Sequence, residues 1–131
     1  MTIFVDASAI VAIVTGEAEA DDFADAIEGH DDRCYCAVGA WEATRAIARL
    51  RGTTVQDASM ALDSFVRTAG LRMVPIAEAE ALAAIHAHAR YGKGHHPARL
   101  NMGDCFAYAC ARTHDARLLY KGDDFSQTDL A

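Results

Sequence analysis

Acidic side chains occupy positions in this sequence where a carboxylate is costly. Asp6 ends the first apolar segment, and Glu42 and Asp104 each lie within a largely apolar stretch of helical periodicity. Two more acids, Asp123 and Asp124, follow another short apolar run. Carboxylates at such positions lose hydration and repel one another, so they persist there mainly when a cation gathers them. The acids therefore predict a metal site.

Each acid taken singly has an ordinary alternative explanation. Asp6 and Asp104 can each cap a helix. Glu42 can be a surface acid that is neutralised by Arg45 and Arg49, which lie at helical spacing from it. The two tail acids can belong to a polar turn. Only the acids taken together, in their order and spacing, favour the metal site over these alternatives.

Strands and helices are predicted to alternate along the chain. Short β-branched or apolar runs predict strands at residues 2–5, 33–35, 71–74 and 118–120. Caps, helical spacing of apolar residues and glycines predict six helices. The first starts after Asp6 or Ser8, the second covers 21–27 and the third runs from 38 to 52. The fourth runs from Thr54 or Asp57 to 70, and the last two cover 77–91 and 101–114. Residues 92–97 are the one obvious loop.

This alternation favours an α/β fold, a parallel sheet flanked by helices on both faces. Ligands of such sheets bind beyond the carboxyl ends of the strands, where Asp6 and the two tail acids are predicted to lie. If two helices each direct one acid inward, Asp6, Glu42, Asp104 and one tail acid converge. The predicted site is a pocket of four carboxylates.

The composition is that of one compact domain spanning residues 1–131. The chain is 52% hydrophobic, enough for a single core without a second domain. Its formal net charge of -7 argues against general adhesion to nucleic acid. Acids that coordinate cations are partly neutralised when the ions are bound, so this charge does not exclude an RNA substrate.

The four cysteines and the apolar segments bear on cellular location. The cysteines lack the spacing of a zinc site or a CxxC pair, so we expect small buried hydrophobes in a reducing cytosol. No basic leader precedes the apolar start, and no apolar stretch approaches the roughly 18 residues of a membrane span. We therefore expect a cytoplasmic protein with no membrane contact.

Four short motifs follow one another along the chain. They are Phe4-Val5-Asp6-Ala7-Ser8-Ala9-Ile10, Trp41-Glu42-Ala43, the segment from Leu100 to Ala109, and the segment from Leu118 to Phe125. In order and spacing they resemble the PIN-domain nucleases, specifically the VapC toxins of bacterial toxin–antitoxin pairs. The resemblance extends along the whole chain, and the order of the motifs is more specific than any one of them.

The resemblance implies a ribonuclease that depends on a divalent metal, has a PIN-like fold and is usually a homodimer. It also implies inhibition by a small antitoxin that binds operator DNA. The metal ligands that it implies are Asp6, Glu42, Asp104 and, as the fourth acid, Asp124 or Asp123. Ser8 matches the small hydroxyl residue after the first Asp of the family, and Asn101 lies one helical turn before Asp104.

The fourth acid is uncertain from the sequence because Lys-Gly-Asp-Asp replaces the frequent Thr-Asn-Asp form of the family. Phe125 is the only large apolar residue of the tail before Leu130, so we expect it to anchor the tail inward. This anchor constrains the neighbouring acid and favours Asp124 over Asp123. Gly122 permits the sharp bend that either acid requires.

The chemistry of the implied site agrees with RNA hydrolysis. Cleavage of a phosphodiester needs an activated water and a means to hold charge on the phosphate oxygens, and Mg²⁺ or Mn²⁺ on carboxylates supplies both. Arg45, Arg49, Lys93 and Arg99 are candidates for binding the RNA. Each of these four can equally be a solvated or salt-bridged surface residue.

Other functions share parts of this pattern. A phosphoacceptor receiver domain has the same size and Mg²⁺, but it needs a pair of acids after the first strand and an Asp ending a central strand. A haloacid dehalogenase phosphatase needs Asp-x-Asp where Ser8 replaces the second Asp. A PIN-like scaffold that only binds RNA or a partner has no need to retain the mutually repulsive acids.

Overall fold

The computed structural model covers residues 1–131 and contains four strands and six helices. The strands are β1 (Thr2–Val5), β2 (Asp32–Cys36), β3 (Arg72–Val74) and β4 (Arg117–Leu119). The helices are α1 (Ala7–Val14), α2 (Ala20–Glu28), α3 (Ala37–Arg51), α4 (Val55–Ala69), α5 (Glu78–Tyr91) and α6 (Met102–Thr113). The predicted alternation of strands and helices is confirmed.

The four strands form one parallel sheet in the order β3-β2-β1-β4. β1 is paired on both sides, with Ile3 opposite Arg33 of β2 and Arg117 of β4. This central position explains why β1 is almost entirely apolar, since a parallel strand covered on both faces needs no polar side. The carboxyl ends of β1 and β4 therefore lie side by side.

Helices cover both faces of the sheet, as predicted. Ile3 and Val5 belong to the core that packs against α1, α3 and α4, whereas Phe4 belongs to the core that packs against α5 and α6. This division follows from the twofold alternation of side chains along a strand. α3, which carries Glu42, and α6, which carries Asp104, consequently approach the sheet from opposite faces.

The ends of the helices agree with local signals in the sequence. Thr54 caps α4, because its hydroxyl accepts a hydrogen bond from the Asp57 backbone N–H at 3.0 Å. Gly52 and Gly70 end α3 and α4 in the left-handed region, with φ of 64° and 68°. β4 is shifted one residue toward the N-terminus from its predicted position, and Tyr120 instead packs on Phe125 with ring centroids 5.1 Å apart.

The predicted burial of the cysteines is confirmed. All four cysteines are free and buried, Leu62 is buried, and Phe23 and Phe65 are partly buried against the core. Leu50, near the end of α3, is exposed and is not a core residue. None of the six helices combines the length and the apolar character needed to cross a bilayer.

The tail after β4 is held against α6. Phe125 is fully buried, which confirms the predicted anchor. The Tyr108 hydroxyl of α6 donates a hydrogen bond of 2.6 Å to Asp129 Oδ1. Arg112 lies 3.5 Å from the other carboxylate oxygen of Asp129. The tail that carries Asp123 and Asp124 is therefore attached, through Asp129, to the same helix that carries Asp104.

Candidate active site

Asp6 links the end of β1 to the start of α1. It is the N-cap of α1, and its Oδ2 accepts hydrogen bonds from the backbone N–H of Ser8 at 3.0 Å and from the Ser8 hydroxyl at 2.6 Å. The Ser8 hydroxyl oxygen also accepts from the backbone N–H of Lys121 at 2.9 Å, just beyond β4. Burial raises the pKa of Asp6 in spite of these hydrogen bonds. Asp6 is thus both a helix cap and a buried acid.

Asp104 belongs to a capping box at the start of α6. The side chain of Asn101 accepts from the Asp104 backbone N–H at 2.9 Å, and Asp104 Oδ2 accepts from the Asn101 backbone N–H at 3.1 Å. Burial, together with the charges of Asp6, Asp124 and Glu42, raises the pKa of Asp104 to about 7. The capping explanation is correct for Asp104, yet the same carboxylate also experiences the other three acids.

Glu42 reaches the start of α6 because Gly103 has no side chain. A Cβ atom at Gly103 would lie 2.1 Å from Glu42 Oε2, so any other residue would collide with this carboxylate. Burial and, second, the charge of Asp6 raise the pKa of Glu42. Glu42 takes part in none of the six salt bridges, so neither Arg45 nor Arg49 neutralises it. The Arg45 guanidinium instead lies 4.7 Å from the centre of the Trp41 ring. The alternative of a neutralised surface acid is therefore wrong for Glu42.

The two tail acids differ in their surroundings, although both are exposed. The charge of Asp124 is among the main causes that raise the pKa values of Asp6 and Asp104, and the charge of Asp123 is not among them. The Asp123 carbonyl accepts hydrogen bonds from the backbone N–H and the hydroxyl of Ser126, at 3.1 and 2.6 Å. Asp123 thus forms the predicted polar turn, and Asp124 lies electrostatically nearer to the other acids.

Two adjoining cavities surround these acids. The first, the acid cavity, has a volume of about 700 Å³; its lining includes Asp6, Ser8, Trp41, Glu42, Arg45, Arg49, Asn101, Asp104 and Lys121. The second, the tail cavity, has a volume of about 320 Å³; its lining includes Lys93, Arg99, Asn101, Asp104, Asp123 and Asp124. Asn101 and Asp104 line both, and every predicted site residue lines one cavity or the other; together we call the two adjoining cavities the depression.

The donor chemistry of this depression fits a hard divalent cation. Its acids offer oxygen ligands only, and Asp6 and Asp104 each have one carboxylate oxygen without a protein hydrogen bond. Burial first, and then the charges of neighbouring acids, raise the pKa values of Asp6, Glu42 and Asp104, and a cation would offset both costs. As the side chains stand, no group of three or more His, Cys, Asp or Glu residues is arranged to hold one ion.

Sequence reasoning missed three residues that shape the site. Gly103 gives Glu42 its space, Lys121 hydrogen-bonds to Ser8, and Trp41 lines the acid cavity. Each stands beside a residue that was singled out in the sequence, but nothing in its own type signalled a role. The Lys121 side chain forms ion pairs with Glu17 and Glu19, and the latter pair measures 3.4 Å.

Comparison with known proteins decides the family. The PIN domain family matches residues 3–130. The chain belongs to the PIN-domain family. Among its relatives are a VapC ribonuclease of Rhizobium meliloti, 39% identical over 97% of this chain and 98% of the relative, and Ribonuclease VapC30 of Mycobacterium tuberculosis, 35% identical over 97% and 95%. At this identity and coverage, the chain is a member of the VapC ribonucleases within the PIN-domain family.

Solved structures share the fold. A crystal structure of Mycobacterium tuberculosis VapC20, described as a sarcin-ricin loop cleaving toxin, matches with a TM-score of 0.72 and 17% identity over 95% of this chain and 92% of that one. A chain of a toxin–antitoxin complex from Klebsiella pneumoniae matches with a TM-score of 0.68 and 18% identity over 98% and 93%. The PIN-like fold is thereby confirmed, and the receiver and dehalogenase alternatives are excluded.

Proposed function

We propose that this member of the VapC ribonucleases is a divalent-metal-dependent endoribonuclease and the toxin of a type II toxin–antitoxin pair. The observation that carries the proposal is the convergence of Asp6, Glu42 and Asp104 on one cavity from three different elements. Burial and mutual repulsion raise the pKa values of all three. A protein that only bound RNA would gain nothing from such a cluster, which favours hydrolysis over a PIN-like binding scaffold.

The ion would be held by Asp6, Glu42, Asp104 and Asp124, with Asp123 in the turn beside them. Bound Mg²⁺ or Mn²⁺ supplies an activated water and charge compensation at the phosphate oxygens. The chain prepares this site through two local hydrogen-bond systems. Ser8 orients Asp6, and Asn101 orients Asp104, so each leaves one carboxylate oxygen without a protein partner. These supporting residues reduce the reorganisation that ion binding requires.

The RNA would be bound by the basic residues around the depression. Arg45 and Arg49 line the acid cavity, and Lys93 and Arg99 line the tail cavity. Asp104 borders both cavities, so each pair shares a cavity with this acid. Cations in both cavities suit a strand whose phosphates pass along the site. They also offset locally the repulsion that a net charge of -7 exerts on RNA.

A cognate antitoxin and a second copy of the chain are the proposed protein partners. One structural neighbour is a chain of a toxin–antitoxin complex. The surface of the helices exposes large apolar side chains, including Val55, Met60, Leu82 and Ile85. Such groups favour protein contacts over contact with water. A cytoplasmic location would give the toxin access to its RNA and to its antitoxin.

RNA cleavage by the purified chain tests the proposal. We expect cleavage of single-stranded RNA with Mg²⁺ or Mn²⁺ and none in EDTA. Asp6→Asn and Asp104→Asn should each reduce the rate about a hundredfold or more while the fold persists, because each removes a ligand charge. Asp63→Asn is the matched control, since Asp63 is an exposed acid of α4 that pairs with Arg67. Undiminished cleavage by either site variant would refute the metal-site assignment.

Growth of a host that expresses the chain tests the toxin role. We expect growth arrest on induction, relief when the product of the neighbouring antitoxin gene is co-expressed, and no arrest by the Asp104→Asn variant. Circular dichroism of the purified variant controls for folding. Normal growth with the wild-type chain at high expression, in its native host, would argue against a toxin.

A further inference from the structure

The side chain of Trp41 is unusually exposed for its size. Its relative accessibility is 59%, although Trp is a residue that proteins normally bury for most of its surface. It directly precedes Glu42 on α3 and lines the acid cavity together with Asp6 and Asp104. An open indole at the edge of a polar cavity is a surface that a flat ligand can cover.

The Trp41 ring is supported from within its own helix. The Arg45 guanidinium, one turn later on α3, lies 4.7 Å from the ring centroid in a cation–π contact. This contact holds the ring on one face, and the exposure of the side chain shows that much of its remaining surface meets solvent. Arg49, a further turn along, lines the same cavity. Indole and cations thus form one strip along α3, which we call the α3 strip (Trp41, Arg45 and Arg49).

An aromatic face next to cations matches the chemistry of single-stranded RNA. Unpaired bases stack on aromatic side chains, and Arg binds the adjoining phosphates. A protein partner with an apolar anchor would leave the two arginines of the strip without a counterpart. The acids beside the strip would hold the ion at which the phosphate is cut, so a base on Trp41 would lie near that phosphate.

We infer that Trp41 is a substrate-binding residue that stacks on an unpaired nucleobase flanking the scissile phosphate. The α3 strip would then bind one nucleotide, with the base on the indole and the phosphate on the arginines. This inference rests on the proposed RNA cleavage and deepens it, because it assigns a contact that requires a base and not only a backbone. It makes Trp41 a determinant of which RNA positions are cut.

Binding without cleavage tests the inference directly. Trp41 is the only Trp of the chain, so intrinsic fluorescence reports on this one position. In the Asp104→Asn background, a short single-stranded RNA should change the fluorescence of Trp41, whereas an oligonucleotide of equal length with abasic sites should change it far less. Equal fluorescence changes with both oligonucleotides would overturn the inference, because phosphate contacts alone would then account for binding.

Substitution of Trp41 gives the second arm. In the same background, the anisotropy of a labelled RNA should show affinity about 5- to 100-fold weaker for Trp41→Leu and a smaller loss for Trp41→Phe. Affinity for the abasic oligonucleotide should change little, which separates stacking from a structural role of Trp41. Met60→Ala is the matched control, because Met60 is 71% exposed on α4 and lines neither site cavity.

Cleavage by the otherwise wild-type chain separates this inference from the proposed function. Trp41→Leu should raise KM for single-stranded RNA by a similar factor while changing kcat less, with unchanged thermal unfolding as the folding check. Unaltered binding and cleavage in Trp41→Leu, with an active wild-type chain, would overturn the inference alone. Base-dependent binding at Trp41 by a wild-type chain that does not cut RNA would support the stacking contact alone, and it would refute both the nuclease and the role of Trp41 in choosing the positions that are cut.

Discussion

At the scale of single residues, the acids of this site have structural and electrostatic roles at the same time. Asp6 caps α1 and Asp104 completes a capping box at α6, so local hydrogen bonds orient both carboxylates. Burial of the same two carboxylates raises their pKa values. A residue that stabilises a helix start thus also carries an electrostatic cost, which the proposed cation would relieve.

Asp104 should make the metal-free protein less stable as the pH rises. Its folded-state pKa of about 7 lies above the ordinary value of 3.8, so its favourable contribution is complete below about pH 4 and is lost as the pH rises through 7. Asp104→Asn should therefore stabilise the protein in EDTA by about 1 to 2 kcal/mol at pH 8, after allowance for solvent screening, and by much less at pH 5.

Urea unfolding of both proteins at the two pH values measures this difference. Asn can accept the hydrogen bond from Asn101, so the capping box itself should survive the change. Asp63→Asn is the control for the loss of a carboxylate on the exposed side of α4. A stability difference that is the same at pH 5 and pH 8 would contradict the assigned pKa.

Asp124 should be the fourth acid of the site. Its charge acts on Asp6 and Asp104, whereas Asp123 is engaged through its carbonyl in the turn to Ser126. We expect Asp124→Asn to weaken Mn²⁺ binding and RNA cleavage about tenfold or more, and Asp123→Asn to have a smaller effect. Calorimetric titration of Mn²⁺ and initial cleavage rates measure both. A larger loss from Asp123→Asn would reverse the assignment, and no loss from either would leave a site of three acids.

At the scale of elements, the site is made where α3 and α6 meet at the carboxyl edge of the sheet. The two helices cover opposite faces of the sheet, and their acids meet beside Asp6 at this edge. Their meeting point is Gly103, where the absence of a side chain admits the Glu42 carboxylate. The tail reaches the same point because Phe125 and Asp129 attach it to the rest of the protein, the latter to α6.

Gly103→Ala should separate activity from folding. The added Cβ would lie 2.1 Å from Glu42 Oε2, the far end of a flexible side chain that can move away at little cost. Helical Ala is also favoured over Gly by about 1 kcal/mol. We therefore expect thermal stability within a few degrees of the wild type, with Mn²⁺ affinity and RNA cleavage reduced about tenfold or more.

The matched control for Gly103→Ala is Gly29→Ala. Gly29 follows α2, and a Cβ there would meet only ordinary contacts of 3.5 Å. This control should keep full cleavage activity. Unchanged metal affinity in Gly103→Ala would show that the Glu42 carboxylate does not need its position against α6.

At the scale of the whole molecule, the exposed face of α5 is the strongest candidate for self-association. Leu82 and Ile85 are 57% and 64% exposed there. A cavity of about 630 Å³ between α5 and α6 extends this surface, with Leu82, Tyr91 and Tyr108 in its lining. Adjoining apolar side chains of this kind are more stable when another protein surface covers them.

We expect the purified chain to be a dimer at micromolar concentration by light scattering. Ile85→Glu should shift it toward the monomer, because an unpaired carboxylate would be buried in the contact. Met60→Glu, which places the same charge on the exposed side of α4, is the control and should leave the dimer intact. A wild-type monomer would refute self-association, and an intact Ile85→Glu dimer would place the contact on another face.

What the sequence by itself determined is local. The strand and helix order and the helix ends at Gly52 and Gly70 follow from residue periodicity and left-handed glycines, which act within one or two turns. Capping narrowed two helix starts to Asp6 or Ser8 and to Thr54 or Asp57, of which the structure has Asp6 and Thr54. The acids stood out because a carboxylate in an apolar segment is costly wherever the segment folds. Their motif order was sufficient to indicate the PIN-domain family.

Tertiary structure decided which of these local features meet. That Gly103 admits Glu42, that Asp124 acts on the other acids while Asp123 forms a turn, and that Trp41 stays open beside the cavity all depend on α3, α6 and the tail packing around one sheet edge. These contacts join residues tens of positions apart in sequence. Steric and electrostatic effects between such residues depend on distances of a few ångströms, which only the folded chain defines.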